Sequence, residues 1–170
     1  ALFLNGRLIG EKELKGRCDA VFTAEYQPGR LEAAAYDEAG REISRSALVT
    51  AGEETILQAV PESRTVRPDG LCFVRLKYTD KAGTVKPLER GTLHVTVTNG
   101  ELLGLGNGCP YNETGYCEIY TDTYFGEALA VVRASEDAGV KPVVVEVTDG
   151  ERTGLAEIEI TDKDESCIMI

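Results

Sequence analysis

The sequence predicts an all-β fold: two antiparallel β-sandwich modules in tandem, the first of them incomplete. Three observations predict it. Apolar and polar residues alternate with a period of two in Leu93-His94-Val95-Thr96-Val97 and again from Val143 to Val147, which turns one side of a strand inward. Turn-forming pairs recur with a spacing of about ten residues, as in antiparallel sandwiches. No stretch has the length and 3.6-residue spacing of a crossover helix.

Leu2-Phe3-Leu4 runs into Asn5-Gly6, a pair that readily takes the positive-φ positions of a tight hairpin, and Leu8-Ile9-Gly10 returns from it. Residues 20–26 (AVFTAEY) read as the next strand, and Pro28-Gly29 as the turn after it. Residues 30–36 (RLEAAAY) follow. Their alanine run favours helix by propensity, but turns on both sides leave only seven residues, too few for a stable helix. Asp37 to Gly40 turns again, and residues 42–50 close a first module, 1–52, with about five strands.

Ala51-Gly52-Glu53-Glu54 marks the boundary. Beyond it, strands are expected at 55–60, 72–79, 92–98, 101–105, 128–134, 142–148 and 154–160, each bounded by turn chemistry such as Pro68-Asp69-Gly70, Asn99-Gly100 or Asp149-Gly150. Seven strands suit a complete Ig-like sandwich over 53–160, with 161–170 as a tail. The first module, beginning inside an apolar strand, reads as one that lacks its first strands, and its sheet edge then needs cover.

Composition bounds the partners. With 170 residues and 42% hydrophobic content, the chain can bury one large core or two small ones. A formal charge of −11 and the lack of a Lys/Arg cluster with interleaved aromatics argue against nucleic acid or an anionic membrane. No apolar run is long enough to span a membrane as a helix. The five cysteines contain no CxxC, and the single histidine is His94, so ordinary zinc spacing is absent. Cys109 and Cys117 could be bridged only if their loop brings the Cα atoms within about 7 Å; free thiols are the expected state.

Catalytic constellations are missing as well. His94 lies on the face of its strand opposite Leu93 and Val95, which suits a partly exposed strand histidine better than a general base. Carboxylates such as Glu157 and Glu159 flank an apolar residue, as on a solvated strand face, rather than forming a catalytic pair. The run from Gly104 to Gly108 departs from the dinucleotide fingerprint and leads into Cys109-Pro110 instead of a helix. Asp69, Asp80, Asn107 and Asp122 offer hard oxygen ligands for calcium, but no twelve-residue acidic loop gathers them. No metal or cofactor is expected. Asn112-Glu113-Thr114 matches the glycosylation acceptor, a common chance match that places the loop at the surface.

The connection 106–124 is long for a hairpin loop and holds four of the seven tyrosines. Asn107, Tyr111, Tyr116, Tyr120 and Tyr124 are therefore the candidate ligand or domain-contact residues, with packing or domain contact favoured over a sugar platform.

Two groups of motifs carry a family resemblance. LFLNGRLIGEKEL, YQPGRLEAAAYDEAGREI and SALVTAG resemble the Ig-like module that follows the catalytic barrel in many bacterial glycoside hydrolase family 2 enzymes. PDGLCFVRLKYTD, KAG, GELLGLGNGCP and YFGEALAVVRA resemble the last module of the same enzymes, with Cys109 where family members usually carry aspartate. The resemblance implies a non-catalytic accessory region of a β-galactosidase-like exo-hydrolase, partnered in cis by a catalytic barrel and capable of self-association. A carbohydrate-binding or adhesion module is the alternative. It implies a bacterial parent and leaves its compartment open among periplasm, exterior and cytoplasm.

Overall fold

The structure, a computed structural model, describes residues 1–16, 18–136 and 141–161. It divides into two units, Ala1–Ala51 and Gly52–Ile170. Among the described residues there are thirteen strands and no helix, so the all-β class is the observed one.

The first unit is one antiparallel sheet of β1 (Leu2–Leu4), β2 (Arg7–Gly10), β3 (Arg30–Tyr36) and β4 (Glu42–Val49), in the order β2-β1-β3-β4. Asn5 and Gly6 both take positive φ, 51° and 78°, as a two-residue hairpin requires. The Asn5 side chain then reaches across the sheet end: its Oδ1 accepts the Arg30 N–H at 2.8 Å, and its Nδ2 donates to the Pro28 carbonyl at 3.0 Å. Gly29 makes room for that amide. A Cβ at Gly29 would lie 1.9 Å from Asn5 Oδ1, and the φ of 131° suits glycine in any case.

The strand expected at 20–26 does not form; residues 19–27 carry no strand pairing. A strand needs a ladder partner, and both sheet edges, β2 and β4, leave this segment unpaired. Val21 and Tyr26 are 70% and 81% exposed. The segment is tethered instead by Lys12, whose ammonium donates to the Val21 carbonyl and sits 5.3 Å over the Phe22 ring. The first unit thus has four strands rather than about five, in one sheet.

The second unit is a two-sheet sandwich. One sheet has the order β5-β7-β11-β9: β5 (Ile56–Pro61), β7 (Leu71–Thr79), β11 (Glu127–Ala134) and β9 (Gly100–Gly106). The other has the order β10-β8-β12-β13-β6: β10 (Tyr120–Asp122), β8 (Thr92–Thr98), β12 (Val143–Thr148), β13 (Thr153–Ile160) and β6 (Thr65–Val66). First, second, fifth and fourth main strands on one side, with third, sixth and seventh on the other, is the constant-type Ig arrangement. The seven expected strands all form. Two short strands join them: β6, parallel to β13 at Glu159↔Thr65 and Ile160↔Val66, and β10, antiparallel to β8.

The alternation read from the sequence fills the core. Val74, Leu76 and Tyr78 of β7 face Leu93 and Val95 of β8, Val143, Val145 and Val147 of β12, and Ile158 of β13, all buried in one cluster. At one side of the sandwich β5 and β13 approach so closely that a Cβ on Gly154 would stand 2.8 Å from the Leu57 carbonyl oxygen.

Tyr78 ties the two sheets. Its hydroxyl donates to Asp149 Oδ2 at 2.9 Å, and the same carboxylate accepts the Arg152 guanidinium at 2.9 Å and the backbone N–H groups of Glu151 and Arg152 at 2.9 and 2.7 Å. Burial opposes the Asp149 charge, but these four donors outweigh it and lower the carboxyl from 3.8 to about 2. Burial, with the Asp149 hydrogen bond, pushes the Tyr78 phenol up.

Candidate functional site

A concave feature lined by Tyr116, Tyr124 and Phe125 lies on the outer, solvent side of the sheet β5-β7-β11-β9. It is a groove of about 620 Å³ running from β7 across β11 to β9 and the turn before β11. Its floor follows from register: Val131 pairs with Gly104 and Leu129 with Gly106. The two glycines leave the backbone bare beside two apolar side chains. Into the space above Gly106 leans Tyr116, whose Cδ1 lies 2.4 Å from where a Gly106 Cβ would sit. The Tyr116 carbonyl also accepts the Leu105 N–H at 2.7 Å, which pins the loop against the edge strand β9.

The far wall is a hairpin turn. Tyr124 and Glu127 exchange two backbone hydrogen bonds, 2.9 and 3.1 Å, around Phe125-Gly126. Both central residues have positive φ, 50° and 75°. Glycine is required at 126, since a Cβ there would meet the Lys86 carbonyl oxygen at 2.4 Å. Phenylalanine at 125 is a different matter, because a bulky side chain in the left-handed region costs about 1–2 kcal/mol. Its ring is 62% exposed and meets Tyr124 edge-on at 4.5 Å between centroids.

Charges flank the groove in pairs. Arg75 reaches Glu62 at 3.3 Å, both side chains about half exposed, and Lys77 reaches Glu127 at 3.4 Å.

Of the five residues expected to form a contact loop, the structure brings three together: Asn107, Tyr116 and Tyr124 line the groove. Asn107 acts as a turn-former there. Its Oδ1 accepts the Cys109 N–H at 2.8 Å, and its Nδ2 donates to the Asp122 carbonyl at 2.6 Å, which binds the loop to β10. Tyr111 stands out in solvent, 87% exposed, away from the groove lining. Tyr120 belongs to the other sheet, opposite His94 in the β10–β8 ladder, with the rings 5.9 Å apart. Glu62, Arg75, Phe125, Glu127, Leu129 and Val131 also line the groove. The outward parity of Leu129 and Val131 was a sequence signal for them, because a solvated face would carry polar residues there.

The carboxylates considered for calcium are engaged separately. Asp80 accepts N–H bonds from Gly52, Ala82 and Thr84 at 2.7, 2.9 and 2.8 Å, and these lower its carboxyl. Asp122 accepts the Thr92 hydroxyl at 2.6 Å, and Asp69 pairs with Arg133 at 3.6 Å. Among the described residues no three His, Cys, Asp or Glu side chains gather as a metal-ligand set. Cys18, Cys72, Cys109 and Cys117 are free thiols; Cys167 and the tail 162–170 lie outside the described residues. The loop lies at the surface as expected, with Tyr111, Glu113 and residues 115–120 exposed, although the Asn112 amide nitrogen is itself enclosed and without a hydrogen-bond partner.

Comparison with known proteins agrees with this fold. Residues 57–156 match the model "Glycoside hydrolase family 2 C-terminal domain 5", and residues 1–44 match a domain of unknown function, DUF4982. No curated protein sequence matches the chain. Two solved glycosyl hydrolase family 2 members from Bacteroides cellulosilyticus resemble it. One has 22% identity and a TM-score of 0.86 over 95% of this chain and 21% of that one. The other has 24% identity and a TM-score of 0.84 over 94% and 22%. A β-glycosidase from Bacteroides vulgatus gives 21% identity and a TM-score of 0.82 over 94% and 21%. The chain therefore spans about a fifth of the length of these structures. With the family model matching residues 57–156, more than half of the chain, the chain belongs to the glycoside hydrolase family 2 C-terminal domain 5 family, a non-catalytic accessory region of that enzyme family.

Proposed function

We propose that these residues act in cis as the accessory region of a β-galactosidase-like exo-hydrolase, covering and bracing its catalytic domain. The observation that carries this reading is the partly open apolar face of the first unit, where Leu48 and Ala33 are exposed and Leu2, Leu4 and Leu31 half-buried. Register puts Leu2, Leu4, Leu31, Ala33 and Leu48 on one side of the sheet, and Leu48 is 73% exposed. The other side carries Phe3 under Arg45, Glu32 paired with Arg30 and Arg45 at 3.2 and 3.5 Å, and the buried Ala34. A sheet with one apolar face is stable only when that face is covered, and a catalytic domain in the same polypeptide supplies cover without the entropy cost of a separate partner.

The test is a matched pair of parent enzymes, with and without residues 1–170, assayed on nitrophenyl β-galactoside and melted side by side. The truncated enzyme is expected to lose thermal stability and to aggregate; unchanged melting and activity would overturn the reading. The purified 170-residue chain alone is expected to leave the substrate untouched.

A further inference from the structure

We infer that the groove on the outer face of the sheet β5-β7-β11-β9 is a binding subsite for a neutral, pyranose-containing saccharide. This goes beyond the cis-accessory role and does not depend on it, since every residue of the groove lies within the second unit.

Four observations converge. A pyranose ring has an apolar face of C–H groups and a rim of hydroxyls, so its site needs apolar surface and paired polar groups within one ring's reach. The floor offers Leu129 and Val131 beside the bare backbone of Gly104, with the Tyr116 ring lying over Gly106 as its edge. Tyr116 and Phe125 wall it, with Glu62 and Arg75 at the margin. A carboxylate with two acceptor oxygens beside a guanidinium with several donors suits adjacent hydroxyls, which donate and accept together. The volume of about 620 Å³ falls within the range of small-ligand sites.

Phe125 supplies the fourth. A turn alone would be served by asparagine or glycine at this φ, with less strain. The exposed ring recovers little by burial, yet the backbone holds it at the mouth of the groove, edge-on to Tyr124. Strain of this sort at a concave surface points to a presented contact.

Charge selects the saccharide class. Each carboxylate at the groove already has its own cation, Glu62 with Arg75 and Glu127 with Lys77, in a chain whose net charge is −11. A uronate would find no uncompensated cation there; a neutral hexose needs none. A peptide strand is a poorer occupant, because the Leu105 N–H on the edge strand β9 is already taken by the Tyr116 carbonyl.

The experiment is an amide NMR titration of the 170-residue protein with lactose, and in parallel with methyl β-D-glucuronide. Saturable shifts centred on Gly104, Gly106, Phe125, Leu129 and Val131 are expected with lactose, at a dissociation constant on the order of 1 mM. The glucuronide is expected to bind more weakly. Phe125→Asn, which suits the turn, is expected to weaken lactose binding about fivefold while the melting temperature holds or rises. Tyr116→Phe is expected to retain binding, because the ring wall remains. No saturable shift, shifts centred elsewhere, equal affinity for the glucuronide, or affinity unaffected by Phe125→Asn would each overturn the inference. Silence toward both sugars, with Phe125→Asn dispersing a self-associated form, would assign the groove to protein docking instead.

Discussion

The two units use the same strand chemistry and reach opposite outcomes. In the second, two sheets face each other and the inward residues of β7, β8, β12 and β13 vanish from solvent. In the first, four well-paired strands form one sheet, and among its described residues Ala34 is the buried hydrophobic. Both are held by antiparallel hydrogen-bonded ladders. What differs is the second layer, and the contrast teaches that pairing sets the shape of a sheet while facing surfaces supply most of its stability.

The largest effect that would sharpen this contrast comes from paired truncations. Leu76→Ala, at a fully buried site of β7, is expected to cost about 3 kcal/mol in denaturant unfolding of the second unit. Leu48→Ala, on the open face of β4, is expected to change stability by less than about 0.5 kcal/mol. Equal costs would break the comparison, since they would mean that the first unit has an inner side after all.

Next in size is the close seam of the sandwich. Gly154→Ala would place a methyl group against the Leu57 carbonyl and the Gln58–Ala59 peptide, and about 1–3 kcal/mol of overpacking is expected in thermal melts.

A smaller effect concerns pH. Asp149 titrates at about 2 in the folded chain, below its ordinary 3.8. A depressed carboxyl contributes stability that is fully present above its unfolded value and is lost as the pH falls through the folded one. Stability of the second unit is therefore expected to decline between about pH 4 and pH 2. Asp149→Asn should flatten that part of the profile in acid-unfolding curves; an unchanged slope would remove the Tyr78–Asp149 tie from the account.

The smallest effect runs the other way. Phe125→Asn relieves the left-handed strain and is expected to raise stability by up to about 1 kcal/mol, measured by the same melts.

Much of the second unit was legible in the sequence, because a period of two over six or more residues encodes both the strand and its buried side. Leu93, Val95, Val143, Val145 and Val147 show it. Strands β6 and β10, two and three residues long, carry no period; they exist because β13 and β8 offer open ladder positions beside them. The reading of 20–26 failed for a different reason: AVFTAEY has a strand's composition, yet it pairs with neither open edge of the sheet, β2 nor β4. The groove was half legible. Loop composition pointed to Asn107, Tyr116 and Tyr124, whereas Tyr120 was lost to the other sheet once β10 formed. Arg75, Leu129 and Gly106 share a row through long-range register that the sequence alone does not fix.

The parallel pair β6–β13 has a mechanical consequence. In a parallel pair the start of one strand and the end of the other lie at opposite ends, so tension applied to the start of β6 and the end of β13 pulls the two strands past each other. Their bonds, Glu159 N–H to the Arg64 carbonyl at 2.9 Å and Thr161 N–H to the Val66 carbonyl at 2.8 Å, are then loaded together in shear rather than unzipped one after another. Two strands of two and eight residues thereby become the clasp that a pulling force must break before the sandwich can open.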